Sequence, residues 1–389
     1  MVRNPSGWIR RPFDQPRGLL NLRVTTLLCA GTLWVVACVT PPAEDGGVDA
    51  AVFPDANSLD ASTADSGFID PDAGDSDGGC AYRVTELDTL GVPQAITPNG
   101  TIVALLLDEN MAGSTSAFWL IDGGVRRLTP NIRLADGGLH VHDGGFQDFQ
   151  VRALSDNYAV GTVFNSSVPQ TTPVRMRLEE DEAMVLGDGS FGHAWAVNAV
   201  GTAVGDSRDD GHVWFLDGGV IRLGAYTAAF EGIDNEGVAA GWRRNSFDSD
   251  TEAFVRDVDG TTRTLSGTPP AAAGAVTATR ILGGQRFWRR PSLELRTLDL
   301  GPWRWGGATV ASRDGVIAGG AVGPRTDDPL SGYAAVWRDE RLLWFAPHDP
   351  SLQIGAIVGV SSDGTQMLAT CERLFGQRRP CRVFLTCPP

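Results

Sequence analysis

The 389-residue chain is predicted to be all-β, a propeller of about seven four-stranded blades, and three observations predict it. Apolar residues alternate or cluster in runs of four to six, punctuated by Gly, Asn or Asp, which is the pattern of short strands and too interrupted for helices. Turn glycines recur at 100, 201, 237, 315 and 364, a spacing that marks repeated units rather than one continuous core. The two ends of the repeat region are complementary. It opens on a lone outer strand, Tyr82 to Leu87, and closes on a lone third strand, Cys381 to Leu385. Pairing the two completes the last blade and removes both free sheet edges, so a closed ring is favoured over an open array.

The reference unit, with strands a to d, runs from Ala196 through Val204-Gly205, His212 to Leu216 and Gly218 to Leu223. Its a–b turn requires positive φ and carries Gly201; its c–d turn is Asp217-Gly218-Gly219. Blade 1 is expected from Ala95 to Leu128, blade 2 from Ala153 to Leu186, and blade 4 from Gly232 to Leu265. The interval from Gly237 to Gly315 is double length and holds a degenerate blade 5, Ala275 to Leu298. Blade 6 is expected from Thr309 to Trp344, and blade 7 from Val358 to Leu385 with the strand from Tyr82 added. Trp119, Trp214, Trp288 and Trp337 recur in strand c and are expected to pack between blades.

Residues 1–38 form an export signal: five arginines precede an apolar run from Val24 to Ala37 that is too short for a stable transmembrane helix. The run ends Val35-Val36-Ala37-Cys38, which resembles a bacterial lipobox, so Cys38 is expected to be lipidated and to hold the protein on the outer membrane of a bacterial envelope, periplasmic or surface-exposed. Residues 39–79 are an Asp/Ala/Gly/Ser/Pro tether with ten acidic and no basic residues, a composition that cannot bury enough apolar area to fold. The propeller occupies 80–389. Its four cysteines in an exported chain imply two disulfides. A hairpin turn centred near Gly376 sets Cys371 opposite Cys381, and antiparallel pairing of the first and last strands sets Cys80 beside Cys387.

These residues resemble the HAF-type extracellular repeat family, whose unit reads Ala-x-Ile/Val-Asn-x-x-Gly-x-Val-Gly, then His-Ala-Phe-x-Trp, then Gly-x-hydrophobic-x-x-Leu. Ala196-Val197-Asn198, Gly201 and Val204-Gly205 carry the first part. Ala117-Phe118, His212-Val213-Trp214 and Ala253-Phe254 carry pieces of the second. The resemblance covers most of 82–387, with blades 2 and 5 departing from it, and implies an exported repeat protein without an assigned reaction.

No catalytic constellation stands out. Gly187 to Gly192 satisfies GxGxxG but precedes a strand, so no helix N-terminus is offered to a phosphate. No Walker loop, HExxH or GxSxG is present. His140 and His142 share a loop and read as a solvated turn; His193 and His212 read as hydrogen-bonded blade residues. No metal site is expected, with Asp248, Asp250 and Glu252 a weak candidate for Ca²⁺. The net charge of −15 and the exported address disfavour nucleic acid. The chemistry-bearing loops fall on the b–c and d–a side, where Trp242, Arg243, Arg244, Trp303, Trp305, Arg208, Asp209, Arg325 and Asp327 form the candidate binding face. The expectation is a monomeric, non-catalytic lipoprotein that binds a glycan, peptide or protein partner there. The alternatives are a carbohydrate-active lyase or hydrolase using paired carboxylates and a purely structural envelope protein.

Overall fold

In the computed structural model the described residues are 80–387, apart from 109–113, 122–123, 129, 134–145, 166–169, 190, 226, 247–249, 268–272, 324–331, 347–350 and 374–377. Of the two units into which the chain divides, Met1–Thr63 and Ala64–Pro389, these all belong to the second. The signal, Cys38 and the tether lie outside the described residues.

The fold is a seven-bladed β-propeller. Seven antiparallel sheets follow one another, each ordered a-b-c-d. In blade 3 these strands are Gly192–Val197, Ala203–Ser207, Asp210–Trp214 and Val220–Arg222. Blade 5, the degenerate copy, is complete, although its first strand has shrunk to Ala275–Val276. The last sheet takes three strands from the C-terminal end and its fourth from Ala81–Glu86, which pairs antiparallel with Arg378–Thr386 in the register Ala81 to Thr386 and Glu86 to Cys381.

The buried residues divide into seven clusters, each joining one blade to the next. Leu368 of blade 7 packs with Val103 and Leu105 of blade 1 in the cluster that closes the cycle. The ring therefore has no exposed blade face, which is how four-stranded sheets with two apolar faces can all be buried. A repeated backbone bond helps to seal each blade: the residue after strand d donates its N–H to a carbonyl at or beside strand c, as Leu186 does to Pro173 and Leu265 to Ala253.

The repeat motif has a local physical meaning. At the end of every strand a stands a small polar residue: Thr97, Ser155, Asn198, Asp234, Thr277, Ser312 or Ser361. In each case its side-chain oxygen accepts a backbone N–H from across the a–b turn, at 2.9–3.2 Å. Four residue types, Thr, Ser, Asn and Asp, can therefore occupy the Asn position of the motif, because each places an acceptor there. The strand b glycine of the motif is required by close approach: a Cβ on Gly205 would lie 1.9 Å from the His193 carbonyl oxygen, and the same holds at Gly161, Gly241 and Gly320 against their own partners.

Three details differ from the sequence expectation. Strand a starts earlier than expected, at Val92 in blade 1, Thr227 in blade 4 and Leu352 in blade 7, because it continues past the turn-proximal motif. Blade 2 has five strands, not four: Asn131–Arg133 adds a parallel edge to Glu182–Val185, held by buried Ile132 and a 2.7 Å Arg133–Glu182 ion pair. In blade 7 Cys371 lies opposite Arg379 and Cys381 opposite Ala369, so the Cys371–Cys381 bridge spans diagonal neighbours. Cys80 and Cys387 are joined, with Cα atoms 4.2 Å apart.

Candidate binding site

Strand a is the innermost strand of each blade, and each strand a touches the next around the ring. Antiparallel order places all a–b and c–d turns on one face, the tight-turn face, and all b–c and d–a connections on the other, the loop face. The tight-turn face holds a depression of about 370 Å³ to which all seven a–b turns contribute. Its floor is a belt of aliphatic residues, the last of each strand a: Ile96, Leu154, Val197, Ile233, Val276, Ala311 and Val360. Neighbouring turns are tied across blades. Asn198 Nδ2 donates to the Asp234 carbonyl at 3.1 Å, Ser362 N donates to the Pro98 carbonyl at 2.7 Å, and Arg290 forms an ion pair with Asp234. A larger cleft, about 730 Å³, lies between blades 6 and 7, where Tyr82, Ile317, Leu343 and Phe384 line it.

Two residues earlier along strand a the repetition breaks. Six blades carry a β-bulge there, leaving one residue unpaired: Gln94, Arg152, Trp195, Glu231, Thr309 or Val358. By spacing, the blade 5 counterpart is Gly274. The residue just before each bulge is fully buried in several blades, as Val151, Ala194, Phe230 and Ala308 show, whereas the bulged residues remain accessible. Accessible side chains on the innermost strand open onto the central channel. A bulge re-aims a side chain without breaking the sheet, and here it does so on the innermost strand of six blades, Val358 alone of the six packing against the core cluster of blades 7 and 1. The ring lies roughly 7 Å below the aliphatic belt, at about 3.3 Å per residue.

The bulge ring is lopsided. Blades 5 to 7 supply Gly, Thr and Val, whereas blades 2 to 4 supply Arg152, Trp195 and Glu231. Trp195 donates its indole N–H to Asp206 Oδ1 at 2.6 Å, and the other Asp206 oxygen faces His193 Nδ1 at 3.3 Å. Residues 191, 193 and 195 share one side of the strand, and their rings form a ladder: Phe191 edge-on to His193 at 5.7 Å, and His193 stacked on Trp195 at 5.2 Å. The Arg152 guanidinium lies over the Trp195 ring at 5.2 Å. Among the described residues it has no carboxylate partner. Trp242 donates its indole N–H to Glu231 Oε1 at 2.9 Å, while Oε2 points toward the open space left by Gly274. Burial, and secondarily the neighbouring Asp206 charge, push the Glu231 carboxyl above the ordinary range against the opposing pull of the Trp242 bond. The channel thus holds a cation and a carboxyl that do not neutralise each other, with an indole between them.

Of the candidate face read from the sequence, Trp242 belongs to this cluster. Arg208 and Asp209 form a two-residue b–c turn, both at positive φ, so this connection is tight where a longer loop was expected. The Arg208 N–H is bonded to the Phe191 carbonyl at 2.8 Å, which sets this turn at the upper end of the ring ladder. Arg243 pairs with Glu252 at 3.5 Å, and Arg244 donates to Thr251 at 3.0 Å. Trp303 sits between Tyr333 and Phe345, with centroids 5.4 and 5.3 Å away, and Trp305 lies against Gly323 and Gly332; both belong to blade 6, away from the cluster. Arg325, Asp327, Asp248, His140 and His142 lie outside the described residues. Among the described residues no three His, Cys, Asp or Glu side chains are grouped so that they could hold a metal ion.

Sequence reasoning missed Arg152, Trp195, Asp206 and Glu231. Aligning the repeats of this chain against one another would have found three of them, because the scaffold positions on either side are chemically uniform and the bulge position is not.

No protein-family model and no curated protein matches the sequence. Among solved structures the chain is similar to virginiamycin B lyase from Staphylococcus aureus, at 10% identity over 79% of this chain and 100% of that one, with a TM-score of 0.48. It is also similar to hydrazine synthase from Kuenenia stuttgartiensis, at 11% identity over 78% and 97%, with a TM-score of 0.43. A third similarity is to TolB from Acinetobacter baumannii, at 11% identity over 58% and 63%, with a TM-score of 0.38. Similarity this remote carries no argument about activity.

Proposed function

We propose that the propeller is a non-catalytic binding module whose ligand, a glycan in our reading, enters the channel from the loop face and docks on blades 2 to 4. One observation carries this reading. Every ring of residues that serves the scaffold is chemically repetitive, and the ring of bulged residues is not. It gathers a cation, indoles, an imidazole and two carboxyl groups on one side of the axis. Arg208, Asp209 and Trp242 to Arg244 extend the surface on blades 3 and 4, whereas Trp303 and Trp305 pack within blade 6 and take no part. Residues on a rigid scaffold can hold such a site without ordering cost on binding.

Lipid attachment at Cys38 gives this arrangement a direction. Strand Ala81–Glu86 begins at the tight-turn face, because it runs antiparallel to the strand ending at Thr386. The loop face is then free to look away from the membrane. Palmitate labelling, lost in Cys38→Ser, tests the anchor.

The binding test is a glycan and peptide panel probed with the full chain and with Trp195→Ala. The reading requires at least one ligand whose binding falls in the variant while the thermal transition is unchanged. Equal binding by both proteins would refute it. A carbohydrate-active enzyme is the second reading, favoured by the Glu231 carboxyl, whose pKa burial raises beside Asp206, as in a paired-carboxylate site. Turnover of a bound polysaccharide, abolished in Glu231→Gln with binding retained, would favour it over simple binding.

A further inference from the structure

From the unpaired charges of the channel we infer that the ligand is an acidic glycan, its uronate carboxylate held by Arg152 and its hydroxyls by Glu231 and Asp206. The inference rests on the binding reading above and adds the chemical class. Arg152 is the bulged residue of blade 2, exposed on the innermost strand, and it lies over Trp195 with no carboxylate partner among the described residues. Several arginines of this acidic chain find one, as Arg280 does with Asp339, Arg290 with Asp234 and Arg373 with Glu86, whereas Arg382 also lies over an indole, that of Trp119, without a carboxylate among the described residues. The Arg152 fork is planar and matches a carboxylate in a bidentate way.

Glu231 is the bulged residue two blades on. Its Oε1 is occupied by Trp242, and Oε2 is free to accept from a ligand hydroxyl across the gap at Gly274. Asp206 is oriented by Trp195 and His193, which leaves lone pairs on both oxygens. One cation beside two carboxyl groups suits a ligand with one negative charge and several hydroxyl donors. It disfavours a polyacidic peptide, whose further charges would face Asp206, Glu231 and a protein of net charge −15. A neutral sugar would leave Arg152 unmatched. The apolar sugar faces have Phe191, exposed at the head of the ring ladder, to stack on.

The test is calorimetric titration of the full chain with oligogalacturonate, its methyl ester, a neutral galactan of equal length, and oligo-aspartate. The inference predicts binding of oligogalacturonate, weakened about tenfold or more by esterification, since a hydrogen bond to a charged group contributes on this scale. Arg152→Gln should bind the free acid and the ester equally, and Arg152→Lys should restore part of the preference. Unchanged thermal transitions exclude misfolding. If Arg152→Gln is unstable, the salt dependence of wild-type binding decides instead: added salt must weaken the acid and leave the ester unaffected. Equal binding of acid, ester and galactan, lost in Trp195→Ala, overturns the acidic class while the binding reading stands. Preference for oligo-aspartate overturns it in favour of a peptide. Absence of binding by every probe overturns this inference, and the wider panel with Trp195→Ala decides the binding reading separately.

Discussion

Removing the Cys80–Cys387 bridge should cost more than removing Cys371–Cys381, and the structure sets the difference. Both bonds lie in the same sheet, but one joins residues 307 apart and the other residues 10 apart. In the chain-entropy account a cross-link removes about 2.1 + 1.5R ln n cal/mol/K from the unfolded state. That gives about 5.7 kcal/mol for the long loop and about 2.7 kcal/mol for the short one at 25 °C. Cys371 and Cys381 are fully buried whereas Cys80 and Cys387 are less so, and truncating the buried sulfurs adds roughly 1 kcal/mol to the short-loop variant. The expected gap between Cys80→Ala/Cys387→Ala and Cys371→Ala/Cys381→Ala is therefore about 2 kcal/mol. Reversible urea unfolding of each double variant measures it. The long-loop variant should also be cut first by protease near residue 80, because strand Ala81–Glu86 then depends only on its sheet partner. Equal losses, or a larger loss at Cys371–Cys381, would mean that ring closure does not limit stability.

Other consequences are specific. Glu231 has a raised carboxyl pKa, so the folded state holds a proton that the unfolded state releases, and stability falls as pH rises from the ordinary glutamate range through the raised value. Glu231→Gln should gain on the wild type as pH rises through that window; parallel melting curves would contradict this. Asp234→Ala leaves Arg290 only the Thr277 carbonyl and Glu236 at 3.6 Å and removes the cap of the blade 4 turn, and should cost about 2–4 kcal/mol in chemical unfolding. Asp234→Asn keeps the cap acceptor and should cost less. Trp337→Phe loses a 2.7 Å bond to the Asp299 carbonyl, whereas the Trp214 indole N–H has no acceptor among the described residues, so the first should cost about 1 kcal/mol more than Trp214→Phe. Gly205→Ala should destabilise by at least about 2 kcal/mol, since the His193 carbonyl already fills the Cβ position.

The architecture was legible because it depends on residues with few substitutes. Positive φ at Gly100, Gly201, Gly237, Gly315 and Gly364 marks five of the a–b turns. Blade 5 survives without that glycine because Thr277 still accepts the Arg280 N–H and Trp288 still bonds the blade 4 end at Ser266. Both disulfides followed from strand order alone. The edge strand at Asn131–Arg133 was not legible, because three residues are too few to carry a period. The Arg208-Asp209 turn was hidden because neither residue is the glycine that usually marks left-handed backbone. The channel site was hidden for a different reason. A bulge breaks the alternation by which strand faces are read, so Arg152 and Glu231 looked like two more surface charges among 32 basic and 47 acidic residues.

The most direct test of the binding account is hydrogen–deuterium exchange on the full chain, with and without the tightest glycan of the panel. Protection should fall on strands Phe146–Leu154, Gly192–Val197 and Thr227–Ile233, with little change in blades 5 to 7. Protection confined to the tight-turn face, to the cleft between blades 6 and 7, or to the outer strands would contradict it.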